Sequence, residues 1–89
     1  PEAIATLVVT KEGDTLDCRQ WLRTIALPGK LMKHGDDIYN VTNKLDLYEI
    51  DRDGGHLKYD RMTLKRVDRP TVECADYLQK NPLGSALPQ

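Results

Sequence analysis

The stretch from Leu45 to Pro70, LDLYEIDRDGGHLKYDRMTLKRVDRP, constrains the fold more than any other part of this chain. Asp53-Gly54-Gly55 is a turn cluster with short apolar-containing runs on either side. Glycine supplies the backbone conformations of a tight reversal, so two strands folded back on each other are expected. Leu57 and Tyr59 alternate with His56, Lys58 and Asp60, which predicts one wet face. Leu45 and Leu47 are out of phase with Tyr48 and Ile50, so that strand is expected to be buried on both sides or to carry a bulge. A second phase change at Asp60-Arg61 precedes Met62, Leu64 and Val67, and a tight turn into a last short strand accounts for it.

Upstream, Ile4 to Thr10 (IATLVVT) reads as a strand and Lys11-Glu12-Gly13-Asp14 as a turn. Cys18, Trp21, Leu22 and Ile25 then fall at i, i+3, i+4 and i+7, one face of a helix that Asp17 caps and Pro28-Gly29 stops. The competing reading runs Thr15 to Cys18 as the second arm of a hairpin, and a short strand leading into a short helix satisfies both. Lys30 to Asp37 is a connector with a Gly35-Asp36 turn, and Asp37 to Val41 a short strand. After Pro70 a helix over Thr71 to Lys80 is expected, with Glu73 and Asp76 toward its N-terminus and Lys80 at its C-terminus, which suits the helix dipole. Asn81-Pro82 ends it.

These elements predict an α+β domain over 1–82, followed by a flexible tail, 83–89. The sheet is expected to be small, twisted, antiparallel and barrel-like, with four or five strands. A short helix follows the first strands and another ends the domain. Its core should hold Leu7, Val9, Leu16, Trp21, Leu22, Ile25, Leu47, Ile50, Leu57, Tyr59, Leu64, Val67 and Leu78. Trp21 belongs there because a chain with no Phe needs its bulk.

Composition narrows function mostly by exclusion. Hydrophobic residues are 39% and charged residues 30%, an ordinary globular balance. With 13 basic against 14 acidic residues, the chain lacks the cationic excess that drives nucleic-acid affinity, so only a local patch could serve. No apolar run approaches the roughly 20 residues of a spanning helix, and Pro1-Glu2 is not the basic start of a signal peptide. A cytoplasmic protein with no membrane partner is therefore expected. Cys18 and Cys74 read most simply as reduced packing residues; a single disulfide between their elements is the other reading. Asn40-Val41-Thr42 fits a glycosylation sequon, a short match that needs a secretory context to matter.

No catalytic set emerges. Glu49, Asp51, Asp53, Gly54 and Asp60 match calcium-loop spacing, but His56 takes an apolar position and the flanks read as strands. Cys18, His34, His56 and Cys74 lack the paired spacing of zinc ligands. Ser85, the only serine, lies in the tail, and no glycine-rich phosphate loop leads into a helix. Neither an enzyme nor a cofactor is expected.

One feature is positive. Lys58, Arg61, Lys65, Arg66 and Arg69 lie within twelve residues, with Tyr59 interleaved as a stacking surface. Such a strip could follow a phosphate backbone, steer an acidic protein, or simply keep an edge solvated.

Leu7 to Leu16 (LVVTKEGDTL) and Leu57 to Met62 (LKYDRM) resemble the first hairpin and strand-ending pattern of the Sm-like barrel in the bacterial Rho-inhibitor Rof family. Leu64 to Val67 would be the closing strand. The resemblance covers about a quarter of the chain and implies a regulatory protein that binds an RNA-handling factor. The expected function is therefore a small non-enzymatic regulatory or adaptor module. It would act through contact with a protein partner, an acidic one or a second copy of itself. The alternative is an RNA- or DNA-binding domain using Lys58, Tyr59, Arg61, Lys65, Arg66 and Arg69.

Overall fold

The computed structural model describes residues 3–83. It contains seven strands and one helix: β1 (Ile4–Val9), β2 (Asp14–Gln20), β3 (Thr24–His34), β4 (Asp37–Thr42), β5 (Leu47–Asp53), β6 (His56–Tyr59), β7 (Met62–Lys65) and α1 (Val72–Lys80). The strands form one sheet in sequence order, and each pairs antiparallel with the next. The sheet curls until inward side chains of β2, β4 and β6 touch, giving a nearly closed barrel in which β1 and β7 carry the unpaired edges.

Local chemistry explains the reversals. Asp53 pairs with His56 around Gly54-Gly55, and Gly54 takes φ 64°, a conformation that costs a glycine little. Tyr59 pairs with Met62, leaving Asp60 (φ 47°) and Arg61 (φ 62°) as a two-residue loop with both residues left-handed. That loop geometry matches the twist of the flanking strands. Gln20 pairs with Thr24, and between them the Trp21 N–H donates to the Arg23 carbonyl at 3.1 Å.

One face of β1–β3 carries Val8, Leu16, Cys18 and Ala26, and α1 packs on it. Thr71 caps the helix with its side-chain oxygen, Lys80 occupies the last turn, and Cys74 is joined to Cys18 in a disulfide. Leu16, Cys18 and Cys74 have no solvent exposure, and Tyr77, Leu78 and Leu83 close around them. The opposite, concave face carries Leu7, Thr15, Asp17, Arg19, Leu31, Asn40, Tyr48, Ile50, Leu57, Tyr59 and Leu64, by alternation along the register.

Several expectations are corrected. The protein is mostly β with seven strands, not α+β with four or five. The helix after Asp17 does not form, because β2 continues through Cys18 to Gln20 and β3 begins at Thr24. Pro28-Gly29 lies inside β3 rather than stopping a helix. The Pro28 carbonyl accepts from the Asn43 N–H at 2.7 Å, so its backbone faces the β4 side, where pairing ends at Gly29 and no donor is required. Trp21 and Leu22 sit at the tip of the β2–β3 loop, 64% and 76% exposed, and are not core. Ile25, Leu47, Val67 and Val9 are exposed too. The phase change near Leu47 is not a bulge. Leu45 lies outside β5 with φ 67°, Leu47 faces outward, and Tyr48 and Ile50 face inward. The cysteines are oxidised rather than reduced. Of the predicted tail, Leu83 packs on the helix-side cluster, while 84–89, with Ser85, lie outside the described residues.

Candidate functional site

The concave face divides into a polar end and an apolar end. At the polar end, Thr15 Oγ1 donates to Asn40 Oδ1 at 2.5 Å, and Asn40 Nδ2 donates to the Tyr59 hydroxyl at 2.9 Å. Tyr59 in turn donates to Asp17 Oδ2 at 2.5 Å. Arg19 grips the same carboxylate with Nε at 2.9 Å and Nη2 at 3.1 Å, and its Nη1 reaches Asp60 Oδ2 at 2.8 Å. Its guanidinium lies 5.7 Å from the Tyr48 ring centre and 5.9 Å from that of Tyr59, and the two rings meet edge to face. Thr15, Asn40 and Tyr59 are almost wholly buried. Burial of this kind is tolerable only when each polar atom finds a partner, and here the partners form an unbroken relay from β2 through β4 and β6 and back to β2. Burial, and then the bond to Asp17, push the Tyr59 hydroxyl above the usual tyrosine range. The hydrogen bond to Asp17 raises Arg19, which stays charged.

Asn40 spends both amide atoms on this relay and has no exposed surface, which leaves no room for a glycan. The 49–60 stretch with calcium-loop spacing forms the β5–β6 hairpin. Among the described residues no cluster of three or more His, Cys, Asp or Glu could hold a metal ion.

The apolar end opens into a cavity of about 1280 Å³. Leu7, Leu31, Ile38, Ile50, Leu57 and Leu64 form its walls, with β1 along one margin and residues 65–71 along the other. It borders the polar relay directly: Ile50 is the register partner of Tyr59, Leu31 of Asn40 and Leu7 of Asp17.

The basic strip is divided by this architecture. Lys58 points outward beside Asp53 (3.9 Å) and donates to Thr63 at 3.1 Å. Tyr59 is buried in the relay, and Arg61 occupies the β6–β7 turn. Lys65, Arg66 and Arg69 line the cavity, where they meet Arg52, a residue outside the predicted strip. Thr15, Asp17, Arg19 and Asn40 were also missed as site residues. The i, i+2, i+4 spacing of the first three along β2 was a usable signal, but a polar row normally marks the solvent face of a strand.

A barrel with one outer helix and an interior cavity is the architecture of a lipocalin-like binding protein. The family model for the bacterial lipocalin LPS transport optimiser YedD matches residues 1–78. The chain belongs to the YedD family. It is 64% identical over 88 residues to the lipoprotein YedD of Escherichia coli K12 and 71% identical over 83 residues to that of Salmonella typhimurium LT2. These matches cover 99% and 93% of this chain but 64% and 59% of the relatives' own lengths. The crystal structure of lipoprotein YedD from Klebsiella pneumoniae superposes with a TM-score of 0.86 at 60% identity, covering 90% of this chain and 68% of that one.

Membership in the YedD family overturns the Rof resemblance, whose strand–turn–strand patterns recur in many small barrels. It overturns the cytoplasmic regulatory module and the RNA- or DNA-binding alternative as well. Relatives that are lipoproteins contradict the expectation of a cytoplasmic chain with no membrane partner. That expectation rested on hydropathy, which reports spanning helices and misses lipid anchoring. Among the described residues no helix is long and apolar enough to cross a membrane.

Proposed function

We propose that this chain forms the ligand-holding barrel of an envelope lipoprotein and serves lipopolysaccharide transport by binding rather than catalysis. The observation that carries the reading is the cavity of about 1280 Å³ walled by leucine and isoleucine. Concave apolar sites with a few polar groups at one end suit small amphipathic or apolar molecules. The family's description supplies the transport role, and the relatives' description as lipoproteins supplies membrane anchoring. Because the chain spans about 64% of its E. coli relative, partners of the whole protein belong to this proposal too.

A neutral fluorescent probe such as N-phenyl-1-naphthylamine should bind the protein and brighten. Leu31→Trp/Leu64→Trp, which narrows the cavity from two walls, should weaken the signal without unfolding the sheet. A folded protein that leaves the probe dark would refute a ligand-holding cavity. In cells lacking the family member, the unaltered protein should restore exclusion of a large apolar antibiotic and the narrowed variant should restore less. Equal restoration by both would detach transport from the cavity.

A further inference from the structure

We infer that the cavity takes an amphiphile with one hydrocarbon chain and an anionic head, and that Arg52, Lys65, Arg66 and Arg69 hold the head. This rests on the cavity being the ligand site proposed above, and it assigns the class of ligand.

Lack of an ion pair does not by itself set these cations apart, since Lys11, Arg23, Lys33, Lys44 and Arg61 also form none with a described residue, but none of those five lines the cavity. Elsewhere on the sheet and helix, several cations meet acids: Arg19 with Asp17 and Asp60, Lys30 with Asp14, Lys58 with Asp53, Lys80 with Asp76. Arg52, Lys65, Arg66 and Arg69 form no ion pair or side-chain hydrogen bond with any described residue, yet all four line one cavity. The only acid along the same lining, among the described residues, is Asp68. A chain with net charge −1 thus gathers four unneutralised cations at one site. Like charges held together repel, and a bound anion relieves that repulsion.

The cations also have a fixed relation to the apolar walls. Arg52 is the register partner of Leu57, which is paired with Leu64, so these three share the concave face, and the chain from Lys65 to Arg69, where β7 ends, lines the same cavity. A ligand whose chain lies against Leu57 and Leu64 therefore places its head among the cations. Guanidinium forks bind carboxylate and phosphate oxygens in pairs, so either head fits. A polynucleotide would satisfy the charges but leave the leucine walls unused. A neutral lipid would use the walls and leave the charges unpaired.

The test is displacement of the neutral probe from the full chain by ligands of one chain length and different heads: dodecanol, dodecyl phosphate, dodecanoate and dodecylammonium, with inorganic phosphate alongside. Dodecyl phosphate and dodecanoate should displace the probe at concentrations about tenfold below dodecanol, with dodecylammonium weakest. The advantage should collapse near 1 M salt, where screening acts within about 3 Å. Lys65→Gln/Arg66→Gln/Arg69→Gln should erase it and leave dodecanol unchanged; should that variant misfold, Arg52→Gln and the salt series on the unaltered protein decide the question instead. Equal displacement by charged and neutral heads overturns the inference and leaves the ligand-holding cavity standing. Failure of every chain-bearing ligand, dodecanol included, overturns both. Displacement by inorganic phosphate shows that the head alone is recognised and overturns the amphiphile.

Discussion

Tyr59 and Asp17, 42 residues apart, are joined by a 2.5 Å hydrogen bond although their strands, β6 and β2, are separated by three others. In a flat sheet, four inter-strand steps would hold them about 19 Å apart. The bond is therefore a measure of how far the sheet has curled. It also puts a short, buried polar contact beside the apolar cavity, so the shape of one depends on the integrity of the other.

Tyr59→Phe should test that dependence. The substitution keeps the ring but strips Asn40 Nδ2 and Asp17 Oδ2 of a partner inside the barrel. Stranding buried polar groups should cost about 1–3 kcal/mol in urea denaturation. A change within about 0.5 kcal/mol, as at an ordinary surface site, would mean that the relay does not support the fold.

Alkaline pH should act through the same hydroxyl. Burial and the bond to Asp17 raise the folded-state value above that of an unfolded tyrosine, about 10. Below that pH both states keep the proton and the contribution is whole. Above it the unfolded chain releases the proton first, so stability falls as pH rises toward the folded-state value. Subtracting the Tyr59→Phe profile removes the general titration of lysines. The difference between the two proteins should be flat below about pH 10 and shrink above it.

Cys18→Ala/Cys74→Ala should remove a crosslink across 56 positions of sequence. Losing such a bridge typically costs about 2–5 kcal/mol. Amide exchange should quicken first in Val72–Lys80, whose contact with the sheet the bridge secures, and last in β2–β5. Uniform acceleration over the whole chain would mean that helix and sheet unfold as one unit.

Gly29 and Gly55 should behave oppositely. A Cβ at Gly29 would stand 2.5 Å from the Val41 carbonyl oxygen and 2.9 Å from the Thr42 Cα, both backbone atoms, so Gly29→Ala must part β3 from β4 at about 1–3 kcal/mol. At Gly55 nothing lies within 4 Å, and Gly55→Ala should stay within about 0.5 kcal/mol. Thermal melts of the two variants, side by side, decide the point.

The single tryptophan should report solvent. Trp21 is 64% exposed on the β2–β3 loop, so its fluorescence should be open to quenching by iodide in the native protein, and Trp21→Ala should change stability by less than about 0.5 kcal/mol. Strong protection from iodide would place the loop against another surface.

Much of the local structure was legible in the chain, and the reasons it stopped there are physical. The Gly54 reversal, the Asp60-Arg61 turn and the capped helix after Thr71 each depend on a few adjacent residues. The Cys18–Ile25 spacing misled because a period of 3.6 over four residues arises by chance across a strand, a three-residue loop and the next strand. The site was hidden for a different reason. Asp17, Arg19 and Asn40 look like solvent-facing strand residues, and only the curl of the sheet turns that row inward. Lys65, Arg66 and Arg69 were visible as a cluster, but not the apolar walls behind them, which come from β1, β3, β4, β5, β6 and β7.

The placement of the two cysteines has a consequence for assembly. Cys18 lies in the second strand and Cys74 follows the seventh, so the whole meander from β3 to β7 separates them in the chain. Every strand finds its partner in its immediate predecessor, across loops of a few residues, and such pairings form quickly. A chain emerging N-terminus first can therefore build its sheet one hairpin at a time while Cys18 waits without an intramolecular mate. Its mate arrives only with the helix. Appearance of the disulfide would serve as a chemical timestamp for docking of the helix on the sheet, readable by thiol trapping as the chain folds.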